Sequence, residues 1–124
     1  MFKKIEELDV YRLSEGLADK VWDICVDWDA FAKHTVGRQF VNAADSIGAN
    51  LSEGHGRYSL KENIQFCYYA RGSLDETRNW IRRSFNRKLL KEKQPDELSQ
   101  LLDERGPKLN AYINALKRKA RDST

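Results

Sequence analysis

The sequence predicts an all-α protein that folds as an antiparallel, up-down four-helix bundle in a single domain. Apolar residues recur at intervals of three and four in four separate segments, which is the spacing of one helix face. The connections between these segments are short, so neighbouring helices should run antiparallel. No segment shows sustained alternation of apolar and polar residues, and no Asn-Gly or Asp-Gly hairpin turn is present, so strands are not expected.

The first helix is predicted from about Asp9 to about Trp28. Its apolar face consists of Leu13, Leu17, Val21, Ile24, Trp28 and Phe31. The mixed polarity of residues 29–35 predicts a loop, with Thr35 as the residue able to cap the second helix. The apolar stripe of the second helix consists of Phe40, Ala44, Ile47 and Leu51.

A tight corner is predicted between the second and third helices. The second helix is rich in small residues and should end at Gly54 and Gly56, which we expect to adopt left-handed or open conformations. Ser59 to Glu62 is a capping-box pattern that starts another helix. We expect Gly48, Gly72 and Ser73 to allow close approach of neighbouring helices.

The third helix should run from Ser59 to about Leu90 and the fourth from about Pro95 to about Leu116. The predicted core side of the third helix consists of Ile64, Cys67, Leu74, Ile81 and Phe85. That of the fourth consists of Leu98, Leu101, Leu102, Leu109, Tyr112, Ile113 and Leu116. Gly106-Pro107 predicts a kink or a short break, because proline lacks the backbone donor and costs about 3 kcal/mol in a regular helix. The polar tail 117–124 is expected to fray.

Composition narrows the class of protein. A chain of 124 residues suits one domain. No apolar run approaches the ~20 residues of a membrane span, and the N-terminus lacks a signal-peptide core. Two isolated cysteines without a Cys-x-x-Cys pair favour a reducing, cytoplasmic setting. The net charge of +3 is weak evidence for nucleic-acid binding, so the distribution of charge matters more.

Basic residues crowd the end of the third helix and the following loop. The candidate nucleic-acid-binding residues are Arg78, Arg82, Arg83, Arg87, Lys88 and Lys91, with Lys93 beside them. A second basic group at residues 117–121 should lie at the other end of the bundle, near Arg57 and Lys61. An acidic line on the first helix, formed by Asp19, Asp23 and Asp27, could neutralise part of the arginine cluster within a subunit or between subunits. Ion pairing on a solvated surface and phosphate binding both remain open.

Two further patterns concern surfaces. Ser46, Asn50 and Glu53 share one helix face roughly opposite the apolar stripe, which indicates either a solvated side or a polar stripe at a subunit contact. The consecutive residues Phe66 to Tyr69 point nearly all around their helix. Some of these rings, with Trp22 or Trp80, must therefore face outward, either as partly exposed amphipathic side chains or as an apolar face for self-association.

Catalytic and metal-binding patterns are missing from the sequence. A di-iron bundle needs Glu-x-x-His, but the residues three before His34 and His55 are Phe31 and Ser52. There is no zinc-ligand cluster, and the lone Gly-x-Gly has no preceding strand for a phosphate-binding loop. We therefore expect no enzyme activity, metal, cofactor or small-molecule substrate.

Two motifs nevertheless resemble a known family. The first comprises Ala43-Ala44, Ser46-Ile47, Asn50, Glu53-Gly54 and Gly56-Arg57, and the second runs from Ala70 to Glu76. Together they resemble the 23S rRNA-intervening-sequence (S23) family of bacterial four-helix-bundle proteins, over a stretch from about Leu8 to about Leu116. The chain departs from the family pattern at Asn42, where arginine is usual, at Leu51-Ser52 in place of Ile-Ala, and at Gly106-Pro107.

The resemblance implies a homo-oligomer, with a five-fold ring (pentamer) expected, and no catalytic activity. The family is named for a genomic location inside rRNA genes, which is not a function. Its fold is similar to that of basic pentameric accessory proteins of diversity-generating retroelements, which work with a reverse transcriptase and RNA. The resemblance also implies that six motif residues take part in the fold or in a subunit contact. They are Ser46, Asn50, Glu53, Gly54, Gly56 and Arg57. We expect a non-enzymatic protein associated with RNA through basic patches, or alternatively a protein-interaction scaffold ring with no nucleic-acid role.

Overall fold

The chain folds as the predicted four-helix bundle in a computed structural model that describes residues 4–123. The long helices are α1 (Asp9–Cys25), α3 (Arg38–His55), α4 (Leu60–Asn86) and α5 (Gln94–Asp122), and the one-turn helix α2 (Ala30–Ala32) precedes α3. Both α1 and α4 pack against α3 and α5, so α1 and α4 occupy diagonally opposite corners. No strand occurs between residues 4 and 123, and no helix there is long and apolar enough to cross a bilayer.

The two ends of the bundle carry different connections. Residues 26–37 and 87–93 form one end, which we call the basic end, and the α3–α4 turn at residues 56–59 forms the other, the corner end. Pairs such as Trp28 with Phe40 and Asn63 with Tyr112 join consecutive helices at these ends, as antiparallel packing requires. The C-terminal halves of α1 and α4 therefore lie at the same, basic end.

The core is built from aliphatic side chains of all four long helices. Phe40, Leu17, Leu51, Leu98 and Leu109 are almost completely buried. The prediction that Phe85 and Phe31 face the core is wrong, since their rings are 58% and 80% exposed. On α4 the buried positions near Phe85 are Ile81 and Ser84 instead. Thr77, farther toward the start of α4, is also buried, and its hydroxyl donates to the Ser73 carbonyl at 2.8 Å. The buried Ser84 hydroxyl has no hydrogen-bond partner in residues 4–123.

The predicted loop at residues 29–35 is helical, which corrects the sequence expectation. Asp29, rather than Thr35, caps this segment, and its carboxylate accepts from the Ala32 N–H at 3.0 Å. The chain then forms one π-helical stretch, Lys33–Gly37, that runs directly into α3. Ala32, Val36 and Phe40 are all buried at intervals of four, so a core-facing stripe holds the segment in a helix despite its mixed polarity.

Helix α4 ends at Asn86, before the predicted Leu90. Lys88 adopts a left-handed backbone with φ of 61°. The Leu89 N–H donates to the Ser84 carbonyl at 2.9 Å, and the Lys88 N–H to the Phe85 carbonyl at 3.0 Å. These two bonds form a Schellman motif with lysine where glycine is usual, so the termination has no glycine signal in the sequence.

The last helix is continuous across Gly106-Pro107, so the predicted short break is absent. Pro107 lies inside α5 on an exposed position, where backbone carbonyls deprived of a donor can bind water instead. The helix continues to Asp122, which makes residues 117–122 helical although the sequence predicts fraying. Thr124 lies outside the described residues.

Candidate nucleic-acid interface

The last turn of α4 and the α4–α5 connection present a group of exposed cations. We call this group the basic cluster, and it consists of Arg82, Arg83, Arg87, Lys88, Lys91 and Lys93. Arg82 donates to Asn79 Oδ1 at 2.9 Å. Within residues 4–123 no carboxylate forms an ion pair with any member of the cluster. The cluster is therefore a positively charged surface whose cations are not paired with carboxylates in the described part of the same subunit. The exposed Glu92 lies in the same connection.

Arg78 behaves differently from the other five predicted candidates. Its guanidinium lies 3.2 Å from Asp103 Oδ1 on α5, in an exposed ion pair between helices. The structure therefore brings Arg82, Arg83, Arg87, Lys88 and Lys91 together as unpaired cations, while Arg78 has a carboxylate partner.

The acidic line does not neutralise the cluster within the subunit. Asp19 and Asp23 are exposed on α1, and Asp27 is exposed in the turn that follows it, toward the same end of the bundle as the cluster. None of these aspartates forms an ion pair with a member of the basic cluster in residues 4–123. The prediction that the acidic line neutralises the cluster within one subunit is therefore wrong. Pairing of the two groups between subunits stays a prediction.

A second basic group lies at the corner end, as predicted. Arg57 and Lys119 line the same cavity of about 420 Å³ together with Tyr58 and Tyr112. Arg57 is engaged, since it lies 2.6 Å from Glu53 Oε1 and its guanidinium carbon lies 4.8 Å from the centre of the Phe66 ring. This arrangement orders the corner between α3 and α4, and the ion pair itself is exposed and contributes little stability.

The polar face of α3 is only partly solvated. Asn50 is half-buried, and its amide donates to the Ser46 carbonyl at 2.9 Å and to Ser73 Oγ on α4 at 3.5 Å. The half-buried Ser46 hydroxyl donates back to the Asn42 carbonyl at 2.6 Å. Asn50 therefore serves the α3–α4 contact inside one subunit, Ser46 bonds only within α3 among residues 4–123, and Glu53 is exposed.

At the corner between α3 and α4, Gly54 matters because it has no side chain, and not because of its backbone conformation. No glycine among residues 4–123 has a positive φ, so the expected left-handed conformations of Gly54 and Gly56 are not found. Gly54 is buried, and a Cβ there would lie 2.7 Å from Asn63 Oδ1 and 2.8 Å from Phe66 Cβ. Gly54 thus lets α3 and α4 approach closely. Gly48 faces Tyr11 at contact distance, but Gly72 has no neighbour within 4 Å and the predicted close approach there is wrong.

Several aromatic rings face outward, as the consecutive residues Phe66 to Tyr69 predict. Tyr69 is half exposed, and Trp22 on α1 is 57% exposed. Trp22, Val26 and Val41 line an open apolar groove of about 270 Å³ between α1 and the start of α3. The half-buried Tyr68 has the cations of Arg71 and Lys117 over its ring, at 4.8 and 5.1 Å from the centroid.

Sequence reasoning missed one buried cation. Arg105 on α5 is only 7% exposed, and its Nε donates to the Leu13 carbonyl on α1 at 2.8 Å. Its Nη1 donates to the Leu101 carbonyl at 3.2 Å and to Glu104 at 3.3 Å. The sequence offers one signal for this role, because Arg105 lies three residues after Leu102 and four before Leu109, within the apolar stripe of α5.

Titratable groups form no metal-ligand cluster in the described part of the chain. Residues 4–123 contain no group of three His, Cys, Asp or Glu placed to hold a metal ion. Both cysteines are free and buried, and burial raises the pKa of Cys25 to about 12 and that of Cys67 to about 11. Thiols with raised pKa values in apolar surroundings are unreactive at neutral pH.

Comparison with protein families decides the relationship of this chain. The family model described as "23S rRNA-intervening sequence protein" matches residues 6–111. The chain belongs to that family. A comparison with curated proteins gives no match.

The structure explains the family motifs of this intervening-sequence protein as helix-packing elements. The first motif supplies Asn50 and Gly54 to the α3–α4 contact, and the second supplies Ser73, whose hydroxyl meets the Asn50 amide. At the departures from the family pattern, Leu51 is fully buried and Asn42 is exposed. At these two departures the core of the bundle therefore stays shielded from solvent.

Proposed function

We propose that this intervening-sequence protein is a non-enzymatic homo-oligomer that associates with RNA through the basic cluster. The observation that carries the proposal is the density of exposed, unpaired cations within residues 82–93. Lys20, Arg57 and Arg78 each lie within 3.3 Å of a carboxylate, whereas no member of the basic cluster has such a partner in residues 4–123. Unpaired exposed cations are free to bind phosphates, and each such contact adds salt-dependent affinity.

Binding of this kind is mainly electrostatic and has low sequence specificity. Arginine and lysine reach phosphate oxygens, and such contacts position a nucleic acid without reading its sequence. The cluster lies on the last turn of α4 and the following connection, at one end of the bundle. An assembly would repeat the cluster once per subunit and so raise the avidity for a long RNA.

The apolar groove supports self-association. Trp22 and Val26 are largely exposed, and with Val41 they form a continuous apolar surface on α1 and α3. Exposed apolar patches of this kind are typical of protein contacts. The groove lies on a different face from the basic cluster, so a contact through it would leave the cluster exposed. The pentamer is expected from the family resemblance.

We expect the protein to work in the cytoplasm without a metal, cofactor or small-molecule substrate. The two free cysteines are consistent with a reducing compartment.

The test compares two charge-reversal triples. The first is Arg82→Glu, Arg83→Glu and Arg87→Glu. The second, a matched control, is Lys61→Glu, Lys108→Glu and Arg118→Glu, which changes the net charge equally at exposed positions outside the cluster. Size-exclusion chromatography with light scattering, recorded at the nucleic-acid and protein absorbance maxima before and after nuclease treatment, gives the mass and the bound RNA together.

The proposal expects an oligomeric wild type with nuclease-sensitive absorbance. The cluster triple should lose the RNA and keep its mass, whereas the control triple should keep both. Retention of RNA by the cluster triple at low salt would contradict the proposal. If the cluster triple instead has a lower oligomeric mass than the wild type, the arginines pair with the acidic line of a neighbouring subunit.

A second candidate function is a protein-interaction scaffold with no nucleic-acid role. The observation that favours it is the large exposure of Trp22 and the full exposure of Tyr58, which provide aromatic contact area on two faces. A bound partner that resists nuclease and high salt would support this alternative.

A further inference from the structure

A cavity of about 690 Å³ opens beside the basic cluster. It lies between the α2–α3 segment and the last turns of α4, and its lining includes Phe31, Thr35, Gln39, Trp80 and Arg87. Arg87 belongs both to the cavity and to the basic cluster. The volume of the cavity lies within the range of small-ligand sites, about 300–1,000 Å³.

The most exposed apolar group of this cavity is the Phe31 ring. It is 80% exposed, so it contributes little to the hydrophobic core. The backbone beneath it is nevertheless held on both sides, since Asp29 caps the segment and the Thr35 hydroxyl donates to the Phe31 carbonyl at 2.7 Å. Phe31 is therefore a flat aromatic face presented from ordered backbone, which is the arrangement on which nucleic-acid bases stack.

Polar groups without partners accompany this ring. The side chains of Gln39 and Arg87 form no hydrogen bond to any residue in the described part of the chain, and the buried indole N–H of Trp80 likewise has no acceptor there. Gln39 offers both a donor and an acceptor, and Arg87 offers a planar cation. The cavity thus combines an aromatic face, an amide and a cation within one recess.

We infer that this cavity accepts one unpaired RNA base, stacked on Phe31, while Arg87 and the rest of the basic cluster bind the flanking phosphates. Charge supports this occupant, because the cavity is lined by Arg87, an unpaired cation of the basic cluster, whereas the Asp29 carboxylate in the same lining accepts from the Ala32 N–H. In a duplex the bases are stacked on one another and unavailable to Phe31, so the protein should prefer single-stranded RNA. This inference rests on the proposed association with RNA.

The test measures the affinity of the full chain for two labelled RNAs of equal length by fluorescence anisotropy. One RNA is an unstructured oligouridine, and the other is a blunt-ended duplex. Four proteins are compared: the wild type, Phe31→Ala, the matched control Tyr58→Ala, and the cluster triple. Tyr58 is fully exposed at the corner end, so its replacement removes an aromatic ring away from the cavity.

The wild type should bind the single strand more tightly than the duplex. Phe31→Ala should weaken single-strand binding about tenfold, which is the order expected for one stacked base, and should leave duplex binding unchanged. The dependence of log Kd on log salt should keep its slope in Phe31→Ala, because no phosphate contact is removed. The cluster triple should lower that slope, and Tyr58→Ala should match the wild type.

Equal affinity for the two RNAs, or wild-type binding by Phe31→Ala, would overturn the base-binding site and leave the basic cluster as the RNA contact. If the wild type binds neither RNA, the proposed association with RNA fails and the inference fails with it.

Discussion

Gly54 on α3 faces Asn63 on α4 so closely that a Cβ on the glycine would lie 2.7 Å from the asparagine Oδ1. The two helices meet here without room for a side chain. A position that the sequence predicts as a left-handed or open helix end is therefore the tightest packing point among the glycines of residues 4–123.

Gly54→Ala should destabilise the fold by about 1–3 kcal/mol, because the added methyl group forces α3 and α4 apart. Gly72→Ala is the matched control, since a Cβ there has no neighbour within 4 Å. At that exposed helix position alanine should stabilise by up to about 1 kcal/mol. Urea unfolding of both variants measures the two changes in the free energy of unfolding, which should have opposite signs. An unchanged stability in Gly54→Ala would contradict the packing argument.

Arg105→Ala should lower the free energy of unfolding by about 1.5–3 kcal/mol, because the buried guanidinium bonds to carbonyls of both α1 and α5. Arg105→Lys should recover little of this loss, since an ammonium lacks the planar fork that reaches Leu13 and Leu101 together. Denaturant unfolding of the two variants measures the difference. Full recovery by lysine would show that charge alone matters.

Lys88→Gly should stabilise the protein by about 1 kcal/mol. Lys88 has a left-handed backbone, which costs a side-chain-bearing residue about 1–2 kcal/mol relative to glycine. Part of this gain is offset by the greater flexibility of glycine in the unfolded chain. Thermal unfolding tests the sign, with Lys91→Gly as a control at an exposed position without a positive φ. A lower melting temperature for Lys88→Gly would contradict the assigned Schellman motif.

Stability should fall as the pH rises above 9. Burial raises the pKa of Cys25 and Cys67 from 9.0 to about 12 and about 11. Above pH 9 the unfolded chain loses these thiol protons while the folded chain keeps them, so the unfolded state is favoured increasingly until the folded-state pKa values are passed. Burial raises the pKa of Tyr112 as well, from 10.0, which acts in the same direction.

Denaturant unfolding in a series of buffers on either side of pH 9 measures this fall. The double variant Cys25→Ala, Cys67→Ala should be less stable overall because of lost packing, but its stability should depend less on pH in this range. An equal dependence in the two proteins would show that other groups, such as the tyrosines, are responsible.

Local sequence pattern was sufficient for the bundle and for the capping residue Ser59, whose side chain accepts from the Glu62 N–H at 3.1 Å. It was also sufficient for the clustering of Arg83 with Arg87, because residues four apart on a helix are neighbours on its surface. It failed at residues 29–35, where the burial of Ala32 and Val36 and the cap by Asp29 hold a segment of mixed polarity in a helix.

The sequence by itself determined the class of fold, the antiparallel order of the helices and the family, because these depend on periodicity, short connections and motif spacing within the chain. Only the tertiary structure decided which cations are paired, which glycine is a contact point, and that Phe31 faces a cavity beside Arg87. These properties depend on distances between residues far apart in the chain, such as the 3.2 Å between Arg78 and Asp103. Such distances follow from the packing of whole helices and leave no local pattern in the sequence.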